Sequence, residues 1–116
     1  MVEGAENMLI QTNIIQDNKI GIVLLHSDGI VDSNRIQENE VSGLSIISET
    51  VAKIENNQIE GNKKYGIEIK DPGQPEMRKN KVFENGSQIK LDTNAAKKWD
   101  QYQANNPDIM GENEIP

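Results

Sequence analysis

The sequence contains no cysteine, a single histidine at position 26, and only one tryptophan, two tyrosines and one phenylalanine among 116 residues. Lack of cysteine excludes a disulfide framework and thiolate chemistry, and His26 alone cannot build a histidine-rich cluster, so structural zinc is excluded as well. No metal and no cofactor is expected. Long apolar runs are missing too. None approaches the roughly 20 residues of a membrane span, and the opening MVEGAENMLI carries neither the basic nor the apolar segment of a signal peptide. The expectation is an intracellular protein, of cytoplasm or nucleus, with no membrane partner. Positive charge is scarce: 12 Lys and Arg stand against 19 Asp and Glu, a net charge of −7. Such a surface repels phosphate backbones and anionic lipid and argues against nucleic acid as a partner.

With hydrophobic residues at 34%, a chain of this length builds a core only by placing nearly every apolar side chain inside. The spacing of those residues shows how. VDSNRIQENEVSGLSI from Val31 matches IENNQIEGNKKYGIEI from Ile54 position for position, both reading apolar-x-x-Asn-x-Ile-x-x-Asn-x-x-x-Gly-apolar-x-Ile. A third copy, MRKNKVFENGSQIKL from Met77, and a fourth at the start, IQTNIIQDNKIGIVL, are each one residue shorter. Repeats with a period in this range signal a solenoid.

Within each copy apolar and polar residues alternate, which is the period of a strand with one face buried. Asparagine stands between the strand segments, and because it tolerates the left-handed region and bonds its own backbone, the asparagines read as corners. Three short strands per repeat with two tight corners and a looser third describe an all-β fold, a right-handed single-stranded parallel β-helix of about four coils. Stacking would align Ile10, Val31, Ile54 and Met77 in one inward column and Ile15, Ile36, Ile59 and Val82 in a second. A third would hold Ile22, Leu44, Ile67 and Ile89 beside Leu24, Ile46, Ile69 and Leu91. It would also build two asparagine ladders, Asn13, Asn34, Asn57 and Asn80 in one, Asn18, Asn39, Asn62 and Asn85 in the other, whose amides bond from coil to coil. These are structural residues, not ligands.

Residues 1–92 are thus assigned to the repeats. LDTNAAKKWDQYQANNP then offers Asp92, Thr93 or Asn94 as a helix N-cap and Pro107 as a stop, so 93–106 reads as a capping helix with Trp99 and Tyr102 lying over the last coil, and 107–116 as an extended tail. The N-terminus carries no such cap, and the first coil is expected to begin in mid-turn. That leaves three alternatives: continuation of the solenoid on another molecule, end-to-end pairing with a second copy, or a fragment of a longer protein.

The copies at Val31 and Ile54 resemble the parallel β-helix repeat shared by carbohydrate-binding and sugar-hydrolase domains, by the periplasmic protein serving nitrous oxide reductase, and by eukaryotic intracellular proteins. Among the last they are most similar in pattern to the β-helical body of F-box substrate receptors and to the SHC SH2-domain-binding proteins, whose repeats also read IxxNxIxxNxxxGI. The resemblance covers roughly residues 8–91. It implies a protein-binding role for the body. No F-box or zinc-finger segment accompanies it, so it implies no ubiquitin-ligase activity.

Enzymes resembling this fold cluster acidic and basic residues on the outer face of one sheet. The corresponding outward positions here are Val23, Ser45, Glu68 and Lys90, where Glu68 and Lys90 read as a cross-strand ion pair. Another outward column, Asp17, Glu38, Gly61 and Glu84, reads as a solvated acidic edge. His26, with Asp28 nearby at the variable corner, has the chemistry of a general base but the setting of a turn residue. Phe83 follows inward-facing Val82 and should point out, as a surface anchor. The expectation is a non-catalytic module for protein–protein interaction or scaffolding within a larger assembly, with Phe83, Glu68, Lys90 and His26 as candidate binding residues. Its partner is another protein, or a second copy met through the uncapped first coil. The alternative is a carbohydrate-binding or carbohydrate-active β-helix fragment.

Overall fold

The computed structural model describes residues 1–48, 50–70, 75–93 and 95–96. Alternating apolar positions become thirteen short strands among them. These are β1 Val2–Glu3, β2 Met8–Gln11, β3 Ile14–Gln16, β4 Ile20–Leu25, β5 Asp28–Asp32, β6 Arg35–Gln37, β7 Ser42–Ile47, β8 Val51–Glu55, β9 Gln58–Glu60, β10 Tyr65–Lys70, β11 Glu76–Arg78, β12 Lys81–Phe83 and β13 Ser87–Leu91. Every third strand stacks on the equivalent strand of the next coil. The result is three parallel sheets, β1-β4-β7-β10-β13, β2-β5-β8-β11 and β3-β6-β9-β12, here termed the first, second and third. The chain is a parallel β-helix of about four coils.

The registers reproduce the expected columns. Ile10, Val31, Ile54 and Met77 align in the second sheet, Ile15, Ile36, Ile59 and Val82 in the third, and the two Ile/Leu columns in the first. Nearly all of the core comes from these columns, and the members in the middle coils are fully buried. Ordering them against their conformational entropy relies on this efficient use of few apolar residues.

Both asparagine ladders form. In the first, the Asn57 side-chain oxygen accepts from the Asn34 N–H at 2.9 Å and from Asn34 Nδ2 at 3.1 Å, and the same pair of bonds recurs from Asn13 to Asn34 and from Asn57 to Asn80. In the second, Asn39 Nδ2 donates to Asn62 Oδ1 and Asn62 Nδ2 to Asn85 Oδ1, each at 2.8 Å. Spare amide hydrogens go to strand carbonyls such as Val31 O and Ile36 O.

The turning itself falls elsewhere than expected. The left-handed residues are those just before the ladder asparagines, Thr12, Ser33, Asn56 and Lys79 at one corner and Asp17, Glu38, Gly61 and Glu84 at the other. All eight are exposed. The preceding residue takes the unfavourable φ so that each ladder asparagine can turn its amide inward, where bonds to two coils hold it. Only Gly61 occupies its corner without the steric cost of a Cβ. The acidic column is therefore the outer surface of a bend.

The recurrence of glycine at Gly21, Gly43 and Gly66 has a packing cause. A Cβ on Gly43 would lie 2.8 Å from Asn62 Nδ2, and 2.9 Å from both Gly66 O and Ile59 Cγ2. The glycines let the second ladder and the Ile59 column touch the first sheet. Gly43→Ala is expected to destabilise by about 1 to 3 kcal/mol, through overpacking with no change of φ, read as a lower urea midpoint at unchanged slope.

The looser third corner has a ladder of its own. Buried Ser27 and Thr50 stack there, the Ser27 N–H donating to Thr50 Oγ1 at 3.4 Å and the Ala5 N–H to Ser27 Oγ at 3.3 Å. Each hydroxyl also reaches a strand carbonyl, Leu25 O at 2.9 Å and Ile47 O at 2.8 Å.

At the C-terminal end, Asp92 Oδ1 accepts from the Ala95 N–H and Asp92 O from the Ala96 N–H, both at 2.8 Å, which opens a helical turn with Asp92 as its N-cap and Ala95 buried. The rest of the expected capping helix, with Trp99 and Tyr102, and the tail 107–116 lie outside the described residues. At the other end the chain does not begin in mid-turn: Val2 and Glu3 pair with Leu24 and Leu25, adding a fifth strand to the first sheet.

Candidate functional site

A coil presents three outer faces, three corner edges and, at each end of the stack, a rim. The sequence candidates are distributed over these. His26 is exposed at the third corner in the left-handed conformation, φ 48°, with its N–H donated to Ile47 O at 3.4 Å. Phe83, half-buried, points out from the third sheet at the end of the column Gln16, Gln37, Glu60, Phe83. Glu68 and Lys90 do neighbour each other in register on the first sheet. The fold brings Glu68 and Lys90 together but sets His26 and Phe83 apart from them.

The expected Glu68–Lys90 ion pair gives way to a different one. Glu68 Oε2 lies 3.3 Å from Lys70 Nζ on the same strand, and Oε1 accepts a hydrogen bond from the Ser42 hydroxyl. Residues two apart on a strand share a face, so Lys70 competes with Lys90, and Lys90 stays exposed on the last strand. The pairing of Ser45 with Glu68 follows from the repeat column, but the contacts of Glu68 with Ser42 and Lys70 do not, because repeat alignment predicts columns across strands and neither diagonal nor same-strand contacts.

The outer face of the third sheet is polar and shallowly concave. Arg35, Gln37, Glu38, Glu60, Gly61 and Glu84 line a depression there, deepened where Gly61 lacks a side chain. Gln37 Nε2 donates to Gln16 Oε1 at 2.7 Å, and Arg35 pairs with Glu60 at 3.1 Å. With Arg35 exposed, that pair contributes a few tenths of a kcal/mol at most. On the second sheet the Asp32 carboxyl is held below the usual carboxylate range, chiefly by the Asn56 amide at 3.1 Å and then by the Ser33 hydroxyl at 2.9 Å.

Apolar exposure concentrates at one end. Leu9 on β2 is 62% exposed and Ile14 on β3 is 69% exposed, and Ile30, in register with Leu9, extends the exposed apolar surface onto β5. β1, β2 and β3 are the terminal strands of their sheets. The inward residues of this coil, Ile10 and Ile15, are only half-buried, whereas Val31 and Ile36 directly beneath them have no exposure. Among the described residues no group of three or more His, Cys, Asp and Glu could hold a metal ion, and no helix is long and apolar enough to cross a membrane.

Coil stacking, columns and ladders together meet a known pattern: a family model described as a right-handed β-helix region matches residues 1–106. The chain belongs to the right-handed β-helix family. No curated protein and no solved structure matches it. One β-helix architecture carries both enzymes and binding modules, so membership assigns the fold, and function must be argued from surfaces.

Proposed function

We propose that this β-helix is a non-catalytic interaction module that docks a second copy of itself, or a β-rich partner, on the rim of its first coil. The observation that carries the reading is the gradient of burial at that rim, from half-covered Ile10 and Ile15 to fully covered Val31 and Ile36 one coil below. Strand edges with unpaired N–H and C=O groups accept a further strand, and flanking apolar side chains add affinity. Here β2 and β3 offer such edges, with Leu9 and Ile14 beside them. The likeness of the repeats to the bodies of F-box receptors and SHC SH2-domain-binding proteins adds support for a protein partner.

The test is the solution mass of the full chain by light scattering over a concentration series, for the wild type and for Leu9→Lys with Ile14→Lys. The wild-type mass should rise with concentration. The double variant should remain a monomer with an unchanged melting curve, because both side chains are exposed and a lysine on an edge blocks strand addition. Two monomers across the whole series would remove the rim as a self-docking surface.

A further inference from the structure

The asparagine ladders specify what fits above the first coil. At the rungs below it the upper asparagine gives and the lower one takes: the Asn34 N–H and Nδ2 donate to Asn57 Oδ1, and the Asn39 N–H and Nδ2 to Asn62 Oδ1. The lower amide then reaches up to the carbonyl three residues ahead of the upper asparagine, Asn57 Nδ2 to Val31 O and Asn62 Nδ2 to Ile36 O. Main-chain N–H groups rise in the same way, from Arg35 to Asn13 O and from Glu40 to Asn18 O, both at 2.8 Å.

The rim interrupts all of these. Among the described residues no strand lies above β2 or β3. Asn13 Nδ2 and Asn18 Nδ2 fold back onto Gln11 O and Gln16 O of their own coil, each at 3.0 Å. Asn13 Oδ1 and Asn18 Oδ1 accept nothing from the described residues, and the N–H groups of Ile14 and Lys19, one coil before Arg35 and Glu40, face the same open side.

We propose that the matched partner of this rim is a coil of another asparagine-cornered β-helix, stacked with its strands parallel and with two asparagines, five apart in sequence like Asn13 and Asn18, directly over that pair. The inference rests on the docking reading above and names the partner. Such a coil reads apolar-x-x-Asn-x-apolar-x-x-Asn. Its asparagines donate to the two waiting oxygens, its carbonyls take the Asn13 and Asn18 amides and the Ile14 and Lys19 N–H groups, and its apolar pair covers half-buried Ile10 and Ile15. A second copy fits less well in either direction. Its last coil is closed, since Met77 and Val82 are already 1% and 0% exposed and Gln88 Oε1 holds the Asn85 amide. Turned head to head it sets acceptor against acceptor, because the Asn13 and Asn18 N–H groups point down to Asn34 Oδ1 and Asn39 Oδ1. Only the strand edges then pair, so self-association is the weaker mode and the ladders carry the specificity.

The probe is a synthetic peptide of residues 30–47, the second coil of this chain, which carries the motif as Val31, Asn34, Ile36 and Asn39. Titrated into the isotope-labelled full chain at low protein concentration, it should shift the amide signals of Ile14 and Lys19 and slow their exchange with water. The peptide carrying Asn34→Ala and Asn39→Ala should bind at least about tenfold more weakly. Asn13→Ala with Asn18→Ala in the full chain should weaken the unaltered peptide by the same factor and leave the altered one unchanged, as a direct pairing requires. Equal affinity of the two peptides would overturn the inference while leaving the rim as a plain strand edge. Absence of any shift at Ile14 and Lys19 with millimolar peptide would also overturn it. Binding that survives Leu9→Lys with Ile14→Lys would place the peptide elsewhere and remove the rim reading as well.

Discussion

Asn57→Ala is expected to lower stability by about 3 to 5 kcal/mol, the largest loss among the ladder positions. Asn57 is 1% exposed. Its oxygen accepts two bonds from Asn34, and its own N–H and Nδ2 serve Asn80 Oδ1 and Val31 O. Truncation leaves the buried Asn34 N–H without an acceptor, withdraws the partner of one Asn34 amide hydrogen, and removes a donor from Val31 O. Each buried group so abandoned costs about 1 to 3 kcal/mol, which exceeds the roughly 1 kcal/mol net worth of a bond that was merely made. The matched change at the open end is Asn13→Ala. Asn13 is exposed, and its side chain donates to Gln11 O and Asn34 Oδ1, both partners within reach of water or of the neighbouring Asn13 N–H. That variant should lose about 1 kcal/mol or less. Urea unfolding followed by circular dichroism checks both. Equal losses at the two positions would mean that ladder bonds act locally and independently of burial.

The columns and ladders were legible because stacking converts sequence period into spatial register: residues 31 and 54 differ by 23, and Val31 and Ile54 are partners in adjacent strands. What escaped were features that no repeated residue type marks. The left-handed corner positions hold Thr, Ser, Asn, Lys, Asp, Glu and Gly, because an exposed bend selects for backbone position and tolerates almost any polar side chain. The neighbouring asparagine, a residue type that favours such bends, drew the assignment to itself. The Ser27–Thr50 ladder keeps the offset of 23 that relates Val31 to Ile54, but it joins two different hydroxyl residues, so no repeated residue type marks it.

Gln88 is a third instance. The last copy has no glycine at the position that stacks on Gly66: the offset falls from 23 at Asn62 and Asn85 to 22 at Tyr65 and Ser87, so one residue is deleted there and Gln88 stands against Gly66. There Gln88 Oε1 accepts from Asn85 Nδ2 at 2.9 Å, the place that an asparagine of the next coil takes at the earlier rungs of the ladder. The ladder is closed by a glutamine. The candidate site was less legible than the fold for a related reason. Repeats specify which residues share a column, whereas surfaces depend on diagonal contacts such as Ser42 with Glu68.

Ile59→Ala is expected to cost about 2 to 4 kcal/mol, in the upper part of that range. Ile59 has no exposure and sits between Ile36 above and Val82 below in the core column of the third sheet. The strands that flank the vacated space are pinned by Asn57 on one side and Asn62 on the other, so the wall can collapse little, and a cavity that cannot collapse is the costly kind. Ile15→Ala removes the same atoms from the same column at the open rim, where the residue is half-buried and water already reaches part of it. Its expected cost is about 1 kcal/mol, mostly lost transfer free energy with little cavity. The comparison bears on function as well as stability. If the two losses prove equal in dilute solution, the first coil is as well covered as the third, and the rim proposed as the docking surface is already occupied. If the Ile15→Ala loss is small when dilute and grows with protein concentration, the residue is being buried by association, as docking at the rim requires.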